Sequence, residues 1–67
     1  MTNTKYQTSR VAGRNLQVGT VCYHGGEIVA LGHLVEGGGW LGRVVTFRDG
    51  REQFVAASER IRIYPNL

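Results

Sequence analysis

Sixty-seven residues make one small domain near the lower limit of independent folding, because so short a chain buries only about 60% of its unfolded surface. The 42% apolar and 19% charged content excludes an intrinsically disordered chain, despite ten glycines. A net charge of +3, from seven arginines and one lysine against five acids, raises the expectation of a nucleic-acid partner while staying within what solubility alone requires.

Residues 1–16, "MTNTKYQTSRVAGRNL", are polar and without helical periodicity, and they carry Lys5, Arg10 and Arg14. The expectation is a flexible, basic N-terminal arm, since chain ends without apolar patterning fray. From residue 17 short runs rich in Val, Ile, Leu and aromatics alternate with glycine-containing turns. "QVGTVCY" (17–23) ends at "HGG", "EIVALGHLV" (27–35) at "EGGG", and "WLGRVVTF" (40–47) at "RDG". "REQFVA" (51–56) leads through a tight 3₁₀-type turn at "ASE" into "RIRIY" (60–64), which Pro65 stops. This pattern predicts an all-β fold, a small five-stranded SH3-like barrel over residues 17–67.

Within "TFRDGREQF", Asp49 and Gly50 suit a two-residue type I′ turn. That register places Arg48 opposite Arg51 and Val45 opposite Phe54, with Val45, Phe47, Phe54 and Ala56 on the core face. The remaining core is expected from Val18, Val21, Ile28, Val29, Leu31, Leu34, Ile61 and Ile63. So small a core makes a homo-oligomer plausible, with the apolar run "IVAL" as its contact.

The stretch "EGGGWLG" contains G-x-G-x-x-G in Gly37, Gly39 and Gly42. A dinucleotide fingerprint requires a helix opening on these glycines, whose N-terminus meets the pyrophosphate. Here they lead into Val-rich strand sequence, so the reading is a turn between strands. Gly37, Gly38 and Gly39 beside Trp40 also form a candidate loop for gripping a partner, with Trp40 as apolar anchor.

Arg48 and Arg51 flank the hairpin turn, and Arg60 and Arg62 alternate with Ile61 and Ile63 so as to point outward with Tyr64. With Arg43 these arginines are candidate phosphate contacts, and Trp40 and Tyr64 candidate stacking platforms. Cys22, His24 and His33 show no standard zinc spacing, and Cys22 suits a small buried hydrophobe, so no metal or other cofactor is expected. No nucleophile, base and orienting group converge, so no catalytic residue is assigned. A single cysteine permits no intrachain disulfide, and neither a secretory signal nor an apolar run of about 18 residues is present. These features predict a cytoplasmic protein without membrane attachment.

"GGGWLGRVV" resembles the Trp-x-Gly-x-Val opening of a strand in the short plasmid-encoded dihydrofolate reductases, and "VAASERI" is similar to their C-terminal stretch. The resemblance implies an SH3-like barrel and an oligomeric, reductase-like enzyme as one alternative. The family's Val-Gln-Ile-Tyr segment would fall on "REQF", where only Gln53 matches. The leading expectation is a non-enzymatic, regulatory nucleic-acid-binding module of the kind carried by phages and mobile elements. A protein-binding module acting through the Trp40 loop is the alternative.

Overall fold

The computed structural model describes residues 7–67. Seven short strands follow in order: β1 (Ser9–Ala12), β2 (Val21–Cys22), β3 (Gly26–Leu31), β4 (Val35–Gly37), β5 (Trp40–Phe47), β6 (Glu52–Ala56) and β7 (Arg60–Tyr64). A single 3₁₀ turn at Gly13–Asn15 follows β1. All pairings are antiparallel, in the order β1-β7-β2-β3-β5-β4, and β6 also pairs with β5. The fold is all-β and barrel-like, as the alternation of apolar runs and glycine turns predicts. Among the described residues no helix is long and apolar enough to cross a membrane.

Seven strands stand where five are expected, for two reasons. The run at 27–35 breaks at Gly32, His33 and Leu34, leaving β3 and β4 as two pieces that both lie along β5. The Gly32 N–H still donates to the Val44 carbonyl at 2.8 Å, so the ladder continues across the break. The second reason is β1, which lies in the stretch expected as an arm. Residues 1–6 of that stretch lie outside the described residues, whereas Ser9–Ala12 pairs with β7 and the Gly13 N–H donates to the Glu59 carbonyl at 2.8 Å. Four residues are too few for periodicity to register, and only the distant β7 makes them a strand.

The Asp49-Gly50 hairpin forms at the expected place with a different loop. Gly50 N–H donates to Phe47 carbonyl and Phe47 N–H to Arg51 carbonyl, both at 2.9 Å, which closes a three-residue loop with Gly50 at φ 91°. A tight turn followed by a left-handed glycine is the alternative hairpin solution for the same dipeptide. The register moves by one: Val44 faces Phe54, Val45 faces Gln53, and Arg43 faces Val55. A one-residue slip exchanges the two faces of a strand. Phe54, expected in the core, is therefore 51% exposed, while Val55 is 2% exposed.

The core consists of Leu16, Cys22, Ile28, Val45, Phe47, Val55 and Ile63, with Val11, Leu31 and Ile61 packed against it. Val18, Val29 and Leu34 are exposed instead of buried. Val18 sits in the turn that Thr20 N–H closes onto the Gln17 carbonyl, Val29 follows the inward Ile28 beside a register shift, and Leu34 falls in the break after β3. With Ile28 buried and Val29 outside, "IVAL" does not present one continuous apolar face.

Gly37, Gly39 and Gly42 belong to the β4–β5 hairpin, where Gly37 pairs with Trp40 and Gly39 takes φ 89°. The strand that follows leaves no helix N-terminus to receive a pyrophosphate.

Candidate nucleic-acid interface

Strand alternation sorts β7 into two sets. Ile61 and Ile63 turn toward the core, and Arg60, Arg62 and Tyr64 lie on the outer face. Register extends that outer face across its neighbours. Arg10 on β1 stands opposite Arg62, Ala12 opposite Arg60, and Val21 on β2 opposite Tyr64. Just beyond β2 the Tyr23 N–H donates to the Arg62 carbonyl at 3.0 Å, which brings the Tyr23 side chain beside the same row. The Arg62 guanidinium carbon lies 4.9 Å from the Tyr23 ring centroid. Tyr23 lies 5.7 Å from Tyr64 with the rings tilted, and 4.8 Å from His24 edge to face. A row of arginine, arginine and tyrosine thus crosses three strands, flanked by a second tyrosine and a histidine.

The charges on this face are not neutralised within the described residues. The ion pairs there are Arg48 with Glu27 and Arg51 with Asp49, so Arg10, Arg60 and Arg62 have no carboxylate partner. Glu59, adjacent to Arg60, accepts the Ala56 N–H at 3.2 Å through Oε1. Like charges directly opposite on neighbouring strands cost stability, and an anion between them removes that cost. Guanidinium groups beside the exposed Tyr23 ring and the half-buried Tyr64 suit phosphate contacts and base stacking together.

The expected site residues divide. Arg60, Arg62 and Tyr64 share this outer face. Arg48 instead donates through Nε and Nη2 to Glu27 Oε1, each at 2.8 Å. Arg51 donates through Nε to Asp49 Oδ2 at 2.6 Å and through Nη2 to the Gly25 carbonyl at 3.2 Å, with its guanidinium 5.6 Å from the Phe47 ring centroid. The three-residue loop removes the expected opposition of Arg48 and Arg51, and each pairs with a different acid. Asp49 also accepts the Arg51 backbone N–H at 3.0 Å; this bond first, and the guanidinium second, hold its carboxyl below the usual carboxylate range. Arg43 is a strut, donating to the Gly32 carbonyl at 3.0 Å and the Arg14 carbonyl at 3.5 Å.

Three residues of the face escape a reading of the sequence alone: Arg10, Tyr23 and His24. Arg10 joins it only through the β1–β7 pairing, and Tyr23 only through the contact of β2 with β7. The proximity of Tyr23-His24 to the first glycine turn is the one local signal, since aromatics at a strand end commonly project.

Trp40 lies elsewhere, because β5 and β7 are separated in the strand order by β2 and β3. It is 49% exposed, and its ring stands edge to face against Phe54 with centroids 5.5 Å apart. Gly37 lies under the indole and Gly42 under the Phe54 ring, each close enough that a Cβ would collide. Exposed Val35 and Val44 adjoin them. Trp40 is thus part of an outer apolar face of β4, β5 and β6, and Gly38 and Gly39 form only the hairpin tip beside it.

Cys22 is buried, and burial pushes its thiol up, which disfavours the thiolate needed of a nucleophile. Among the described residues no group of three or more His, Cys, Asp or Glu side chains could hold a metal ion. No protein-family model matches the chain, and no curated protein or solved structure does so either, which leaves the geometry of these faces as the guide to function.

Proposed function

We propose that this chain is a non-enzymatic module that binds single-stranded nucleic acid on the outer face of β1, β7 and β2. The observation that carries the reading is the three arginines Arg10, Arg60 and Arg62, without carboxylate partners among the described residues, beside Tyr23 and Tyr64. Arginines supply affinity through released counterions, and the rings supply a sequence-tolerant platform worth about 1–3 kcal/mol per stacked base. Single strands are favoured over duplex because stacking on side chains requires bases free of their partners.

The test is titration of end-labelled 12-nucleotide DNA and RNA strands by anisotropy at two salt concentrations. Affinity should fall steeply with salt, and Arg10→Gln with Arg62→Gln should weaken binding and reduce the slope. Absence of binding at low salt by either strand rejects the reading.

The exposed Trp40–Phe54 pair favours a second reading, a protein partner docked on the apolar face of β4, β5 and β6. Paired aromatics at the centre of a patch are the usual anchors of such interfaces. Binding of that kind would depend on Trp40 and Phe54 and only weakly on salt.

A further inference from the structure

Beside the arginine face lies a cleft of about 410 Å³, within the range of small-ligand sites. Cys22, Val45, Phe47 and Val55 make an apolar floor continuous with the core. Gln53 and Glu59 line it as exposed polar residues, and Arg10, Arg60 and Arg62 also border it. The opening exists because β6 pairs with β5 alone and leaves the space toward β7 unbridged by a ladder.

We infer that this cleft is a subsite for one nucleobase, turned out of the bound single strand, with its phosphate on Arg60 and Arg62. The inference rests on the nucleic-acid reading above and adds to it where a base goes. Three features converge on that ligand class. The floor is apolar and the volume exceeds that of a single flat heterocycle, so a base can shed water there without displacing the core. The Gln53 amide, which makes no hydrogen bond among the described residues, offers both a donor and an acceptor to a base edge. Glu59 engages Oε1 with the Ala56 N–H and keeps Oε2 as a further acceptor. Arg10, Arg60 and Arg62, without carboxylate partners among the described residues, border the cleft, so a phosphate attached to such a base has arginines beside it. A purely aliphatic acid would use the floor and the arginines and leave the Gln53 amide unanswered.

Cys22 provides the readout, because it is the only cysteine and lines the cleft. Its labelling by a small thiol reagent at mildly alkaline pH would be timed with no strand, with oligothymidylate of 12 nucleotides, and with an abasic strand of equal length and charge. Anisotropy would record binding of both strands in parallel. With the normal strand at ten times its Kd, labelling should slow about tenfold, as occupancy dictates. The abasic strand should bind more weakly and, when saturating, slow labelling clearly less, because it suppresses opening around the buried Cys22 without filling the cleft. Gln53→Trp, an exposed substitution compatible with a strand, should fill the mouth and abolish the difference in affinity between the two strands. Equal binding of both strands with equal effects on labelling overturns the base subsite and leaves the nucleic-acid reading standing. Absence of binding by either strand at low salt overturns both.

Discussion

Arg10 and Arg62 stand directly opposite each other on β1 and β7, two like charges in register with no carboxylate partner among the described residues. Such a pair destabilises a sheet by about 0.2–1 kcal/mol. Arg10→Gln should therefore raise the unfolding midpoint in urea. If the face binds a single strand, the same substitution should lower the slope of log affinity against log salt by about 0.7 for each phosphate that is no longer neutralised. A rise in stability accompanied by weaker binding would mark a site held at a cost to the fold. A fall in stability would show that the pair is compensated.

Val55 and Phe54 test the register of the β5–β6 hairpin. Val55 is in the core and Phe54 is half exposed. Val55→Ser removes buried methyl groups and places a hydroxyl among apolar side chains, so a loss of about 2–3 kcal/mol is expected. Phe54→Ser should cost about 1 kcal/mol, from part of its apolar area and the edge contact with Trp40. Denaturant unfolding of the two variants checks the order, which a two-residue loop would reverse.

Three glycines should respond to alanine in a graded way. A Cβ on Gly13 would collide with the Ala56 carbonyl oxygen and come within 2.7 Å of Val55 Cγ1, and neither can withdraw. Gly13→Ala should cost about 3 kcal/mol. Gly39 has open space but φ 89°, so alanine there should cost about 1–2 kcal/mol. Gly38 has open space without that backbone constraint, and its variant should stay within about 0.5 kcal/mol of the parent. Thermal melts of the three variants decide the ranking.

Asp49 predicts a small acid-side effect. Its carboxyl is held below its ordinary value of 3.8, first by the Arg51 backbone N–H and then by the guanidinium. A depressed carboxylate stabilises the fold fully above the unfolded value, and that contribution is lost as pH falls through the folded one. Wild type should therefore lose more of its melting temperature than Asp49→Asn as pH is lowered below about 4. The difference should be slight, because the ion pair is solvent-exposed. Parallel curves would show that the Asp49 carboxylate does not contribute.

The strand bounds of β5 and β7 are readable in the sequence, because β5 contains the run Val-Val-Thr, β7 alternates isoleucine with arginine, and a turn signal closes each. The glycine hairpin is readable too, since valine-rich sequence after Gly39 argues for a strand. The loop length at Asp49-Gly50 is not, because the dipeptide serves two turn geometries and Phe54 and Val55 are both apolar. The observed register is the one that puts Val55 in the core and leaves Phe54 outside. Half of the arginine face is hidden for another reason: Arg60, Arg62 and Tyr64 follow from alternation, whereas Arg10 and Tyr23 depend on partners far away in sequence. Arg48 and Arg51 look like site residues because adjacency in a hairpin is visible in the sequence. Of their acids, Asp49 lies two residues before Arg51 and is visible in the sequence, whereas Glu27 reaches Arg48 from β3.

The pairing of β1 with β7 joins the two ends of the described chain, whereas β5 and β6 are neighbours in sequence. Long-range closure carries the larger entropic cost, so the hairpin can assemble early and the terminal strands dock late. The arginine row exists only after that docking. Opening of the β1–β7 pairing would separate Arg10 from Arg62 without disturbing the β5–β6 hairpin, so a ligand held by both would act as a clasp between those two strands.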